Sequence, residues 1–230
     1  MVEITSLICR VCYNSRGQES IEVDVITDGK YIGRASAPAG ASTGKYEAIA
    51  FPNGVERAVR LLDENKSMFI GIDATDPKAL YDVLRSIDGT DNYSIIGGAV
   101  AYALSIAAID SAARALGKPL FMLIANDREY RFPYPLGNIL GGGAHAGPGT
   151  PDIQEYLVVP IRAKGIREAV SMNIHVHRTL KRVLESKDSK FTYGRGDEGA
   201  WAPNIYNREA LDVVEKACID SGYALGKDIA

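Results

Sequence analysis

Two apolar, strand-like stretches, Phe132 to Leu140 and Ile153 to Pro160, enclose three polar side chains able to do chemistry: His145, Gln154 and Glu155. The first stretch runs into Gly141-Gly142-Gly143, followed by Ala144-His145-Ala146-Gly147. Glycines let backbone approach a ligand, because they accept positive φ and carry no Cβ to hold a substrate away. Gln154 and Glu155 stand side by side at the start of a run that otherwise reads as buried strand. An amide or carboxylate buried without a partner costs on the order of 1–3 kcal/mol or more, so both need one. Either a polar ligand is held against the glycines, or the stretch is a capped strand turn closed by an internal salt bridge.

Other polar loops bear on that choice. Pro38-Ala39-Gly40-Ala41-Ser42-Thr43-Gly44-Lys45 ends in Gly-Lys but is no phosphate loop: Ala39 replaces the first glycine, and Tyr46 stands where a magnesium-binding hydroxyl belongs. Small residues around Ser42 and Thr43 suit a segment that closes over a ligand and sheds water. Cys9 and Cys12 sit on an expected strand, where residues three apart face opposite ways, and no second pair follows, so a metal or redox role is not expected. His175 and His177 are two apart on an expected helix and cannot share a face; both read as solvated or core histidines.

The elements that must position these groups follow the order of the chain. Glu3 to Arg10 favours strand, Asn14 to Gly17 turn, and Ile21-Glu22-Val23-Asp24-Val25 alternates with period two; Asp28-Gly29 then signals a hairpin into Tyr31 to Ala35. A three-stranded antiparallel meander results. Helical spacing covers residues 54 to 64, 77 to 86 and 94 to 116, and Pro119 starts a short helix before the polar linker Asn126-Asp127-Arg128-Glu129. Beyond the two apolar stretches, Ile166 to Glu185 places Ile166, Val170, Ile174, His177, Leu180 and Leu184 on one face. A last helix is capped by Asn207, points Leu211, Val214 and Cys218 inward and stops at Gly222.

Composition narrows the class. The 230 residues are 46% hydrophobic and 24% charged, ordinary for one large or two moderate domains. A net charge of −3 supplies no basic stripe for nucleic acid and no polybasic membrane anchor. The longest uncharged apolar run, Ile95 to Ile109, is too short to cross a bilayer and reads as a buried helix. Three cysteines make no disulfide framework, and no signal peptide is evident, so a reducing cytoplasm is expected.

Taken together, the serine loop, Asp88-Gly89-Thr90, the glycine and histidine loop, Gln154-Glu155 and Gly196-Asp197-Glu198-Gly199 resemble enolase, the phosphopyruvate hydratase that dehydrates 2-phosphoglycerate in glycolysis. The resemblance runs in order from residue 3 to Gly222 and departs from the family pattern at Asn14, Ala39 and Ala200-Trp201. It implies an α+β capping domain over residues 1–128, a three-stranded antiparallel meander plus helices. Residues 129–230 then form the first part of an enolase-type (β/α)8 barrel that opens β-β-α-α and stays incomplete, with strand-helix alternation expected directly after Ala230.

Enolase chemistry removes the proton α to a carboxylate with a lysine base and Mg2+, and expels a hydroxide that must be protonated. By resemblance Glu198 is the proton donor and Glu155 the carboxylate beside it, His145, Gln154 and Glu155 contact substrate, and Ser42 is a magnesium ligand. The base and the main magnesium carboxylates belong to the part of the family's chain that follows, so a complementing C-terminal half is implied and this chain is expected to be inactive alone. Arg10 and Glu22 match positions that bridge to another subunit in a homodimer or higher oligomer, with partners in that later part. The competing reading is a non-catalytic enolase-like module for protein binding or assembly.

Overall fold

A computed structural model describes residues 1–40, 43–125, 129 and 131–230. The chain divides into two compact units, Met1–Tyr130 and Arg131–Ala230, each with its own apolar core.

The first unit opens with three antiparallel strands in the order β1 (Ile4–Tyr13), β2 (Glu19–Thr27) and β3 (Tyr31–Ser36). Asp28 and Gly29 both adopt positive φ, 51° and 66°, and Lys30 N donates to Thr27 O at 3.0 Å, the tight hairpin that Asp-Gly encodes. Four helices follow: α1 (Val55–Asn65), α2 (Pro77–Ile87), α3 (Gly98–Ala115) and α4 (Leu120–Ala125). Asp76 caps α2 by accepting from Lys78 N and Ala79 N, with Pro77 in the first turn, where its missing N–H is no loss. The alanine-rich α3 packs across β2 and β3, and its Ala103, Leu104, Ala107, Ala108 and Ala112 are fully buried.

Strand register explains a charge cluster on the meander. Arg10 lies opposite Glu22 and Asp24 opposite Arg34, so alternation puts all four side chains on one face. Arg10 pairs with Glu22 and Asp24, and Arg34 with Asp24 at 2.6 Å. Within the chain Arg10 and Glu22 pair with each other, because their strands are adjacent and in register.

The second unit runs β4 (Gly137–Gly141), β5 (Glu155–Val158), α5 (Ile166–Lys187) and α6 (Asn207–Asp220), with β4 and β5 antiparallel. β4 begins later than the apolar run suggests, since Pro133 and Pro135 fix φ and offer no N–H to a ladder. Trp201 N donates to Ile139 O and Gly141 N to Trp201 O, so a third segment lies along the other edge of β4. Ala230 exchanges backbone hydrogen bonds with Val159, just past the end of β5.

The helix faces differ from the expected ones. Ala169, Met172, Val176, Thr179, Leu180, Val183 and Leu184 are the buried side of α5, whereas Ile166, Val170 and Ile174 lie 41–47% exposed. The small Ala169 and polar Thr179 hide the true stripe from a hydrophobicity reading. In α6, Val213 and Ala217 point inward beside Cys218 while Leu211 is exposed. Asn207 is no cap either: α6 starts from Tyr206, whose N donates to Glu209 Oε2 at 3.2 Å. The Asn207 side-chain Oδ1 instead accepts from Asp152 N at 2.8 Å and Ile153 N at 3.3 Å, holding the loop before β5.

Candidate active site

Beyond β4 the chain turns through a 3-10 segment, Gly143–His145, and returns to β5. Gly142 N donates to Gln154 O at 2.9 Å and Gly143 N to Pro151 O at 2.7 Å. A Cβ on Gly142 would lie 2.2 Å from Pro151 O and 2.4 Å from Ile153 O. The backbone this glycine admits is therefore the chain's own returning loop, where the sequence suggested a ligand. That folding places Gln154 beside His145, Nε2 to Nε2, at 3.2 Å. A side-chain amide nitrogen only donates, so the imidazole Nε2 accepts and the neutral ring carries its proton on Nδ1. Nδ1 lies 3.3 Å from Glu198 Oε1, at ion-pair distance but off the line of a formed hydrogen bond.

Glu198 rides on a tight turn in which Gly199 N donates to Gly196 O at 2.9 Å and Gly196 N to Ala200 O at 3.0 Å. Asp197 N donates to His145 O at 3.2 Å, and a Cβ on Gly196 would sit 2.5 Å from that same oxygen. The turn thus rests directly on the His145 backbone, and only glycine permits the approach. Asn138 on β4 donates from Nδ2 to Glu198 Oε2 at 2.8 Å. Glu155, first residue of β5, completes the group: ligand-capable atoms of His145, Glu155 and Glu198 all lie within 4.8 Å of one another. The His145 side chain is mostly buried and Glu198 is 44% exposed, so the Glu198 carboxyl group faces an open side.

Among the described residues these three form the one group of His, Cys, Asp or Glu side chains close enough to share an ion. An imidazole nitrogen with carboxylates suits zinc and its neighbours, whereas magnesium prefers an all-oxygen shell. That cluster by itself therefore does not fit magnesium. Ser42, the expected magnesium ligand, lies outside the described residues.

Sequence reasoning overlooked a second layer around the acid turn. Trp201 Nε1 donates to His177 O at 2.8 Å, and the two rings stack at 4.8 Å and 20°. The Arg195 guanidinium lies 4.4 Å from the Trp201 ring centre. His177 Nε2 is 3.1 Å from Gly199 O, and since a carbonyl only accepts, Nε2 carries the hydrogen. Burial pushes the His177 imidazole below its ordinary value of 6.5, with Arg195 and Arg178 adding to the effect against the bond to Gly199 O, which favours the charged ring. Asn138 had a legible signal, a lone amide in an apolar strand; His177 had none, because its partners lie 22 and 24 residues away.

Comparison with known proteins finds relatives of both parts of the chain. The family described as "Enolase, N-terminal domain" matches residues 4–124, and "Enolase, C-terminal TIM barrel domain" matches 129–230. The enolase of Methanosphaera stadtmanae is 45% identical over 211 residues, covering 91% of this chain and 51% of the relative. That of Methanothermobacter thermautotrophicus is 43% identical over 222 residues, 96% of this chain and 53% of the relative. That of Pyrobaculum aerophilum is 36% identical over 235 residues, 99% and 56% respectively. The chain spans about half the length of the curated relatives it matches. With an enolase N-terminal domain over more than half its residues, a barrel-domain match over the rest and the histidine and carboxylates gathered at one point, the chain belongs to the enolase family.

Proposed function

We propose that this chain supplies the proton-donating side of a lyase site that reversibly dehydrates 2-phosphoglycerate to phosphoenolpyruvate. The observation that carries the reading is the convergence of His145, Gln154, Glu155 and Glu198 from three separate segments on one open-sided point. In the dehydration direction a base takes the proton from C2, the electron pair left there forms the new double bond, and the C3–O bond breaks. Glu198 gives its proton to the departing hydroxide, which leaves as water, and Glu155 stands beside it. Gln154 fixes the His145 ring and so turns its Nδ1 toward the Glu198 carboxyl group. The four residues include no lysine, so the C2 base comes from elsewhere.

On the same reading residues 1–128 are the capping domain and 129–230 the first part of a barrel that a complementing C-terminal half completes. Magnesium remains the cofactor, with Ser42 as the ligand from this chain; when bound it would offset the charge building on the substrate carboxylate. The enzyme is a homo-oligomer of the cytoplasm, with the meander face around Arg10 and Glu22 as its candidate contact. Among the described residues no helix is long and apolar enough to cross a membrane.

The test joins this chain to the remaining half of the Methanosphaera stadtmanae relative and follows phosphoenolpyruvate absorbance with magnesium present. The 230-residue chain alone is expected to be inactive and the joined protein active, with Glu198→Gln lowering kcat by about 10²–10⁴-fold. A joined protein whose Glu198→Gln variant keeps full activity would remove Glu198 from its role.

A further inference from the structure

We infer that His177 is a positioning residue for the acid turn: one imidazole bonds the Gly199 carbonyl and stacks on Trp201, and so fixes the turn that carries Glu198 against His145. The inference rests on the acid reading of Glu198. The turn has glycine at both ends and two internal backbone bonds. On one side it is tied through Asp197 N to His145 O. Two side chains tie it elsewhere: Asn138 Nδ2 bonds the Glu198 carboxyl itself, and His177 Nε2 bonds the backbone of the turn at Gly199 O.

His177 is well placed to act as that tie. It lies midway along the 22-residue α5, whose Val176 and Leu180 are fully buried, so its backbone is anchored. Trp201 closes the connection into a ring. Its indole donates to His177 O, its own backbone bonds β4 through Ile139 O and Gly141 N, and two residues upstream is the Gly199 carbonyl that His177 holds. A helix, a strand edge and the acid turn are thereby joined through a single imidazole–indole pair. Phenylalanine at 177 would stack without donating, and glutamine would donate without stacking; histidine does both with one ring. The ring also stays neutral near pH 7 in this surrounding, which keeps a second cation away from Arg195 and from the carboxylate it helps to place.

Amide hydrogen exchange on the 230-residue chain tests this without any need for activity. His177→Phe should raise exchange in the segment 196–201 by about threefold to tenfold, the loss of one hydrogen bond, while the peptides of α5 and α6 stay within twofold. His177→Gln, which restores a donor, should recover part of the protection. Unchanged exchange at 196–201 in His177→Phe, or an equal rise throughout residues 131–230, would overturn the inference, the second outcome showing general support of the fold. In the joined protein described above, His177→Phe should lower kcat with KM little changed, and should cost nothing further in a Glu198→Gln background. Additive losses there would mean that His177 acts through some other group. Full activity of Glu198→Gln alone would remove the acid reading and leave the exchange result standing on its own.

Discussion

Asp88 is completely buried and holds the loop between α2 and α3 by four hydrogen bonds. Its Oδ1 accepts from Thr90 N at 3.1 Å and Thr90 Oγ1 at 2.6 Å, and its Oδ2 from Ile95 N and Ile96 N, each at 2.8 Å. In Asp88→Asn one oxygen becomes an NH2 group. The least costly orientation turns that group toward Thr90, whose hydroxyl can accept, but Thr90 N then loses its acceptor inside the protein. One orphaned N–H costs about 1–3 kcal/mol, and the remaining bonds lose their charge assistance, roughly 1 kcal/mol more, for a total of about 2–4 kcal/mol. With a mid-range urea slope of about 2 kcal/mol per M, the far-UV circular dichroism midpoint should fall by roughly 1–2 M. The emission of Trp201, the chain's one tryptophan and a residue of the second unit, should report an unchanged midpoint. The same loop carries the segment after Ser42, through Ile49 N to Asn92 O at 3.0 Å and Gly98 N to Ile49 O at 2.8 Å, so exchange at residues 48–50 should rise as well. A far-UV shift below roughly 0.3 M, or equal shifts by both probes, would refute the reasoning.

Acid should act on the two units in different windows. His177 is held below 6.5 in the folded protein chiefly by burial, so the unfolded chain takes up that proton first; the Trp201-detected midpoint should fall as pH drops below 6.5, and His177→Phe should flatten the profile. A midpoint that rises over that range would contradict the assignment. In the first unit the bond from Arg34 leads in holding the Asp24 carboxyl below 3.8, and at Asp88 hydrogen bonds from Thr90, Ile96 and Ile95 outweigh burial to the same end. Stability from these two is present above 3.8 and lost as pH falls below it, readable as an acid transition in far-UV circular dichroism with Trp201 emission as control. Asp76→Ala removes the acceptor of Lys78 N and Ala79 N and should destabilise the first unit by about 0.5–2 kcal/mol in urea melts; no change would mean that α2 is held by its packing alone.

The sequence determined much by itself. Asp28-Gly29 specifies its hairpin locally, through two residues that tolerate positive φ, and the period-two alternation of Ile21 to Val25 fixes which side of the meander is buried. The order of the loops carrying His145, Gln154-Glu155 and Glu198 was enough to indicate the family and its candidate acids. What the sequence could not decide is where residues meet when the spacing between them is set by packing. Arg10 and Glu22 are neighbours because two strands align, and Asn207 grips residues 152 and 153 because α6 begins where that loop passes. The buried side of α5 is fixed by shape as much as by apolarity, which is why Ala169 and Thr179 face inward while Ile174 does not. His177 shows the same limit most clearly. Its period on the helix is visible in the sequence, but its hydrogen-bond partner and its stacking partner come from a turn that reaches it only in the folded chain.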